Sequence, residues 1–178
     1  MQTIDAIRNR RSIRHFTDKE VTDENIARIL KAGILAPSAK NKQPWFIHVI
    51  QDDTLKQELV DIMKDTEDVG VQNTARVMEE APVIFVIFEE KTDLNTRMTE
   101  QSIGAFMENM CLEATSLEIG SLWIGHVLEK EKEIKKLFGE KRKLACAIAL
   151  GYAKKEPKPR PRRNLKDMIC IHDKTDEK

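Results

Sequence analysis

PVIFVIF, residues 82–88, is a continuous run of β-branched and aromatic residues that opens with a proline and is followed by a glutamate. A run without polar interruption is typical of a strand that is buried on both faces of a sheet. Shorter signals predict a strand in FIHVI (46–50), a strand in LACAIALGY (144–152), and a glycine-flanked strand or turn in GSLWIGHV (120–127). The stretch at 82–88 therefore predicts the buried strand around which the fold is built.

Helical spacing marks the segments on both sides of this strand. Residues 99–118 carry a broad apolar stripe, which predicts a central helix and a candidate contact with a partner chain. Thr22 is placed to cap a second helix that Pro37 ends, because the residue before a proline disfavours helical dihedral angles. Helices and strands mix without strict βαβ alternation, so the pattern favours the α+β class over a doubly wound α/β fold.

The remaining segments are less clearly patterned. Thr3 is placed to cap a short helix with Ile4 and Ile7 facing inward, and Asp52 or Asp53 starts another helix. Residues 129–138 predict a charged helix. Residues 64–80 are polar and poorly patterned, which predicts a mobile segment or a frayed helix.

Composition restricts the class of protein. The 178 residues suit a single domain, 1–178, with a C-terminal arm at about 154–178 where the composition changes abruptly. Lys plus Arg and Asp plus Glu both number 30, so the net charge gives no reason to expect a nucleic-acid partner. Three cysteines without a CxxC pair, no secretory signal and no membrane-spanning run together predict a cytoplasmic protein.

Two basic clusters stand out against this neutral background. In RNRRSIRHF (8–16), an extended backbone would place Arg10, Ser12 and Arg14 on one side, where two guanidinium groups flank a hydroxyl. In KPRPRR (158–163), prolines keep the basic chain extended and lower the entropy lost on binding. A solvated basic face and a stiff linker are the alternatives, but one anionic ligand held by both clusters explains them together.

Conventional catalytic groups are not apparent. The four histidines have no metal-ligand spacing, and GxSxG, Walker A and GxGxxG patterns are absent, so we expect no metal site and no protein nucleophile. PSAKNKQPW (37–45) offers polar side chains to a heterocycle edge or is an ordinary turn. An enzyme with this sequence takes its chemistry from a cofactor, and no side chain is assigned as catalytic.

Five stretches, in this order, resemble the FMN-dependent nitroreductase family. They are RRSIRHF (10–16), APSAKNKQPW (36–45), SIGAFMENMCLEA (102–114), GSLWIG (120–125) and ALGYAKKEPKPRPRR (149–163). The resemblance spans nearly the whole chain. It implies an α+β sandwich with a mostly antiparallel central sheet flanked by helices, assembled as an intertwined homodimer with two FMN sites at the interface.

The resemblance also implies which residues hold the cofactor. The phosphate and ribityl end would be held by Arg10, Ser12, Arg14 and, from the tail, Arg160 and Arg162, with Lys158 as an alternative because the register of the tail contacts is left open. Arg11 is also counted among the cofactor-binding residues. The partner chain would supply Pro37, Ser38, Ala39, Asn41 and, more weakly, Gln43. The isoalloxazine ring would be bordered by Trp123, Ile124 and Gly125.

The implied activity is that of an oxidoreductase. NADH or NADPH would reduce the flavin at N5, and the flavin would then reduce a nitroaromatic, a quinone or a similar electron-poor small molecule. Three alternatives stay open: an FMN-binding module without turnover, a flavin reductase, and a reductive dehalogenase. A nucleic-acid binder is disfavoured by the neutral net charge and an aromatic content of 5%.

Overall fold

A single antiparallel sheet forms the centre of the molecule, in a computed structural model that describes residues 1–172. Its strands are β1 (Trp45–Ile50), β2 (Val83–Glu89), β3 (Gly120–Ile124) and β4 (Lys143–Gly151). They lie in the order β1-β2-β4-β3, and each neighbouring pair is antiparallel. The predicted α+β class with a largely antiparallel sheet is therefore confirmed.

Strand β2 explains why residues 82–88 have no polar interruption. Its side chains alternate between two apolar cores: Ile84, Val86 and Phe88 enter one, whereas Val83, Phe85 and Ile87 enter the other. All six are buried. Because β2 pairs with a strand on each side, both its faces and both its edges are covered.

The described residues form six helices, five of which cover the two faces of the sheet. The six helices are α1 (Thr3–Asn9), α2 (Asp23–Ile34), α3 (Asp53–Lys64), α4 (Val69–Glu80), α5 (Thr96–Ser116) and α6 (Glu131–Leu137). Helix α1 packs on α5. Helices α2 and α5 contribute to one core, and helices α3, α4 and α6 contribute to the other. Two of the predicted caps are present: the Leu55 amide donates to the Asp52 carboxylate at 2.8 Å, and the Asn25 amide donates to the Thr22 hydroxyl at 3.3 Å. The third prediction was wrong, because Thr3 is the first residue of α1 and Gln2 occupies the cap position without a side-chain hydrogen bond.

Helix α4 replaces the mobile or frayed segment that was predicted at residues 64–80. The Asp68 carboxylate accepts a hydrogen bond from the Val71 amide at 3.0 Å, which begins the helix. Its apolar residues Val71, Ala75 and Met78 are buried against the core. The prediction was wrong because β-branched and polar residues weaken the local helix signal, whereas tertiary packing stabilises the helix.

Two further expectations about apolar faces are corrected. Ile4 and Ile7 on α1 do not face inward in the chain, since 45% and 52% of their surfaces are exposed. The stripe of α5 is already buried within one chain by α2 and the sheet, including Phe106 and Met110. A monomer therefore leaves no large apolar face of α5 without a partner.

The segment 154–172 follows the last strand and is exposed along its whole length. The final six residues of the predicted arm, 173–178, lie outside the described residues. Within residues 1–172, none of the helices combines the length and the apolar character that crossing a membrane requires.

Candidate functional site

An extended segment between α1 and α2 carries the first basic cluster. Its backbone is held on one side by β3 and the end of β4: the Ile13 amide donates to the Ser121 carbonyl and the Thr17 amide to the Tyr152 carbonyl, both at 2.9 Å. The Ile13 side chain is buried. The segment is therefore fixed in the extended form that the alternating pattern predicts.

The structure brings the two basic clusters to one cavity of about 480 Å³, called here the basic cavity. The arm that follows β4 reaches back across the chain to the segment after α1. The lining residues are Ile7, Arg8, Arg10, Arg11, Ser12, Arg14, Pro157, Lys158, Pro159, Arg160 and Arg162. Seven of these eleven carry a positive charge, and none carries a negative charge.

Few of the positive charges in the basic cavity are neutralised. Arg10 Nε lies 3.6 Å from the Glu108 carboxylate of α5, and Arg11 donates to the carbonyl oxygens of Arg8 and Arg10 at 2.6 and 2.8 Å. Within residues 1–172, Lys158, Arg160 and Arg162 form no ion pair. An anion is the ligand that this concentration of guanidinium groups favours.

A second cavity, of about 430 Å³, lies between α4 and β3 and is called here the α4–β3 cavity. Arg14 lines both cavities. The other lining residues are Gly70, Asn73, Thr74, Val77, Leu122, Trp123, Ile124, Gly125 and His126. Apolar walls with a few amide, hydroxyl and imidazole groups are typical of a site for a planar heterocycle. Residues 123–125, which the resemblance singled out, line this cavity.

The polar side of the α4–β3 cavity is organised by Thr74. Its hydroxyl lies 2.7 Å from His126 Nδ1 and 3.0 Å from the Gly70 carbonyl oxygen. Thr74 therefore links the wall formed by α4 to the residue that directly follows Gly125.

Asn73, Thr74 and His126 were missed by the sequence analysis. Asn73 and Thr74 fall in the segment 64–80, whose helix was not predicted, and His126 shows no spacing to other histidines that would draw attention to it. The signal that was available is their proximity to GSLWIG, since His126 directly follows Gly125.

The loop at residues 37–43 does not line either cavity of its own chain. It packs at the start of α5, where the Ala39 amide donates to the Ser102 hydroxyl at 3.1 Å. Lys42 Nζ lies 2.8 Å from the Asp93 carboxylate, and this hydrogen bond lowers the pKa of Asp93. Within one chain, this loop therefore lies apart from both cavities, and the expected contribution of Pro37, Ser38, Ala39, Asn41 and Gln43 to the partner chain's site stays a prediction.

The cysteines lie outside both cavities. Burial raises the pKa of Cys111 to about 11, and burial also raises the pKa of Cys146. Neutral, buried thiols are poor nucleophiles and poor metal ligands. Across residues 1–172, His, Cys, Asp and Glu side chains form no group of three or more that could hold a metal ion.

The similarity to known proteins covers the segments that form this geometry. Residues 7–152 match the sequence profile of the Nitroreductase family. A protein of Archaeoglobus fulgidus, which carries the provisional name NADH dehydrogenase/NAD(P)H nitroreductase, is 33% identical over 161 residues, 87% of each chain.

Solved structures show the same arrangement of the chain. A provisionally named nitroreductase from Desulfovibrio desulfuricans, in complex with FMN, is 29% identical, has a TM-score of 0.86, and is matched over 97% of this chain and 98% of its own. A nitroreductase with bound FMN from Desulfitobacterium hafniense is 26% identical, with a TM-score of 0.81 and coverage of 97% and 100%. The match over most of the sequence and the shared fold therefore lead to one conclusion: this chain belongs to the nitroreductase family.

Proposed function

We propose that this chain binds FMN and acts as an oxidoreductase that passes electrons from NADH or NADPH to an electron-poor small molecule. The observation that carries the proposal is the basic cavity, in which two clusters separated by most of the sequence surround one space. The α4–β3 cavity adjoins it through Arg14, so a ligand with an anionic end and a planar end fits both. FMN has that form.

The basic cavity would hold the phosphate. Arg14, Arg160 and Arg162 offer guanidinium groups whose planar donors match phosphate oxygens, and Lys158 adds a point charge. Ser12 is half-buried between them and adds a hydroxyl donor. Arg10 is shared with Glu108, and Arg11 is turned toward the carbonyls at the end of α1, so both contribute charge more than direct contacts.

The α4–β3 cavity would hold the isoalloxazine ring. Residues Trp123, Ile124 and Gly125 border it, and Gly125 leaves the backbone accessible, since a methyl group there would meet no atom within 4 Å. Asn73 offers an amide to a polar ring edge. When bound, FMN supplies hydride chemistry at its N5 atom, while the chain binds and orients the reactants and excludes water.

We propose further that the active form is a homodimer. Pro37, Ser38, Ala39 and Asn41 then serve the partner's flavin, with Gln43 in a secondary role, which accounts for their distance from the cavities of their own chain. The exposed apolar side chains of α1 and the arm support this assembly, since contact with a partner would bury them: Ile4, Ile7, Leu165, Met168, Ile169 and Ile171. Light scattering tests the dimer directly, and a monomer mass would contradict it.

Nitroaromatics and quinones are the electron acceptors that we propose. We also propose that the protein acts in the cytoplasm, because its three free cysteines fit a reducing compartment. We assign no side chain as a proton donor. The chain's contribution is positioning and charge, so its acceptor range follows from the size of the cavity.

A visible spectrum tests cofactor, reactivity and donor preference together. Protein supplied with FMN and then desalted is expected to retain flavin absorbance, which NADH or NADPH bleaches under anaerobic conditions and a quinone restores. A colourless protein would refute FMN binding. Retained flavin that neither nicotinamide reduces would favour the binding module without turnover. Consumption of NAD(P)H only in the presence of free flavin or of halogenated phenols would favour a flavin reductase or a reductive dehalogenase.

A further inference from the structure

Glu80, the last residue of α4, reaches from that helix to the basic segment after α1. Its Oε2 atom accepts a hydrogen bond from the Phe16 amide at 3.1 Å, and its Oε1 atom lies 3.3 Å from His15 Nδ1. One carboxylate therefore holds two consecutive residues of the segment, 64 and 65 positions earlier in the chain.

This contact secures the edge of the segment that the sheet does not reach. The Ile13 and Thr17 amides and the His15 carbonyl bond toward β3 and the residues after β4. The Phe16 amide faces α4, where Glu80 accepts its hydrogen bond. Without Glu80 this half-buried amide loses its acceptor in the chain.

The segment held in this way carries the residue that the two cavities share. Arg14 precedes the held residues directly, and it lines both the basic cavity and the α4–β3 cavity. Helix α4, which bears Glu80, also supplies the wall of the α4–β3 cavity through Asn73 and Thr74. Glu80 thus connects the helix on one side of the site to the segment that carries Arg14 on the other.

We propose that Glu80 is a positioning residue: it ties residues 15 and 16 to α4 and so fixes Arg14 between the two cavities. The inference rests on the proposed FMN site. Glu80 itself contacts no ligand in this scheme, because it lies outside the lining of both cavities. Its effect is on the geometry of the residues that do.

Charge repulsion and positioning predict opposite effects of removing Glu80 on the affinity for FMN. A carboxylate near a cationic site repels an anion, so removal of Glu80 would tighten FMN binding if charge alone mattered. If Glu80 positions Arg14, its removal weakens FMN binding. Glu79 provides a matched control, since it lies on the same turn of α4 but pairs with Lys64 of α3 at 2.8 Å.

The experiment measures the Kd for FMN by fluorescence quenching for wild type, E80Q, E80A and E79Q. Glutamine still accepts from the Phe16 amide, whereas alanine leaves that amide without its acceptor. We expect E80A to bind FMN about tenfold more weakly than wild type, and E80Q and E79Q to bind within about threefold of wild type.

The outcomes separate this inference from the proposed function. If wild type does not bind FMN, the proposed function fails. If wild type binds and E80A binds equally well or more tightly, or E79Q weakens binding as much as E80A, the positioning role is refuted. Hydrogen exchange at the Phe16 amide without FMN gives an independent readout: exchange is expected to be faster in E80A than in wild type and E80Q, and equal rates would also overturn the inference.

Discussion

The basic cavity makes a quantitative prediction for two arginines that come from opposite parts of the chain. Arg14 belongs to the segment after α1 and Arg160 to the arm, and they line the same space. A hydrogen bond to a charged group contributes roughly 1.5–3 kcal/mol, but both side chains are exposed, and solvent screening favours the lower end. Each replacement by alanine is therefore expected to weaken FMN binding about tenfold, since 1.4 kcal/mol corresponds to a factor of ten.

The double replacement tests whether the two residues hold one phosphate. If they bind the same group, the Arg14→Ala and Arg160→Ala effects are coupled, and the double variant departs from the product of the single effects. Arg163→Ala is the control, because Arg163 donates to the Asp167 carbonyl at 3.2 Å and lies outside the cavity lining.

Fluorescence quenching of FMN and of riboflavin, which lacks the phosphate, completes the assay. The arginine variants are expected to lose affinity for FMN and to keep that for riboflavin, with unchanged far-UV circular dichroism. The reasoning would be refuted if FMN affinity were unchanged in the double variant, or if riboflavin affinity fell by the same factor as FMN affinity.

Three further predictions concern the core. Ellman's reagent at pH 8 is expected to modify one thiol, Cys170, in the native protein and three in denaturant, because the other two are buried; rapid modification of all three in the native protein would contradict the burial. Gly33→Ala is expected to lower the free energy of unfolding in chemical denaturation by about 1–3 kcal/mol, because a Cβ there would lie 2.8 Å from side chains of α5. Gly104→Ala should be neutral or stabilising in the same measurement, because the nearest atom to a Cβ there lies at 3.9 Å. The raised pKa of Cys111, about 11, favours the neutral thiol in the native protein, so the stability that Cys111 contributes is complete below pH 9 and is lost as pH rises toward 11. The difference in the free energy of unfolding between wild type and Cys111→Ala should narrow over that range, and a constant difference would contradict this assignment.

The sequence predicts the buried elements well because their signal is local and strong. The run at 82–88 needs apolar residues on both faces, and the stripe of 99–118 repeats over several turns, so β2 and α5 follow from periodicity. Helix α4 could not be predicted in the same way, since its stability comes from packing against α3 and the sheet. The inward position assigned to Ile4 and Ile7 failed because periodicity shows that a face is apolar without showing what covers it.

The residues of the candidate site show the same difference between local signals and tertiary contacts. The arginines of both basic clusters were found because unusual charge is visible in the sequence, and proline spacing indicated that the arm is extended. Asn73, Thr74 and Glu80 were not found, because their importance depends on where α4 lies relative to β3 and the segment after α1. A single polar residue on a helix carries no such information until the tertiary contacts are known.

The closure of the basic cavity by the arm has a consequence for how the protein matures in the cell. Residues 10–14 leave the ribosome long before residues 158–162, so a nascent chain presents one of the two basic clusters while the sheet is still incomplete. If FMN binds as proposed, firm binding must wait until the arm has emerged and lies against the segment after α1. Any treatment that severs the arm should weaken the proposed binding of FMN while the two apolar cores stay intact, because none of the described arm residues, 154–172, belongs to either core.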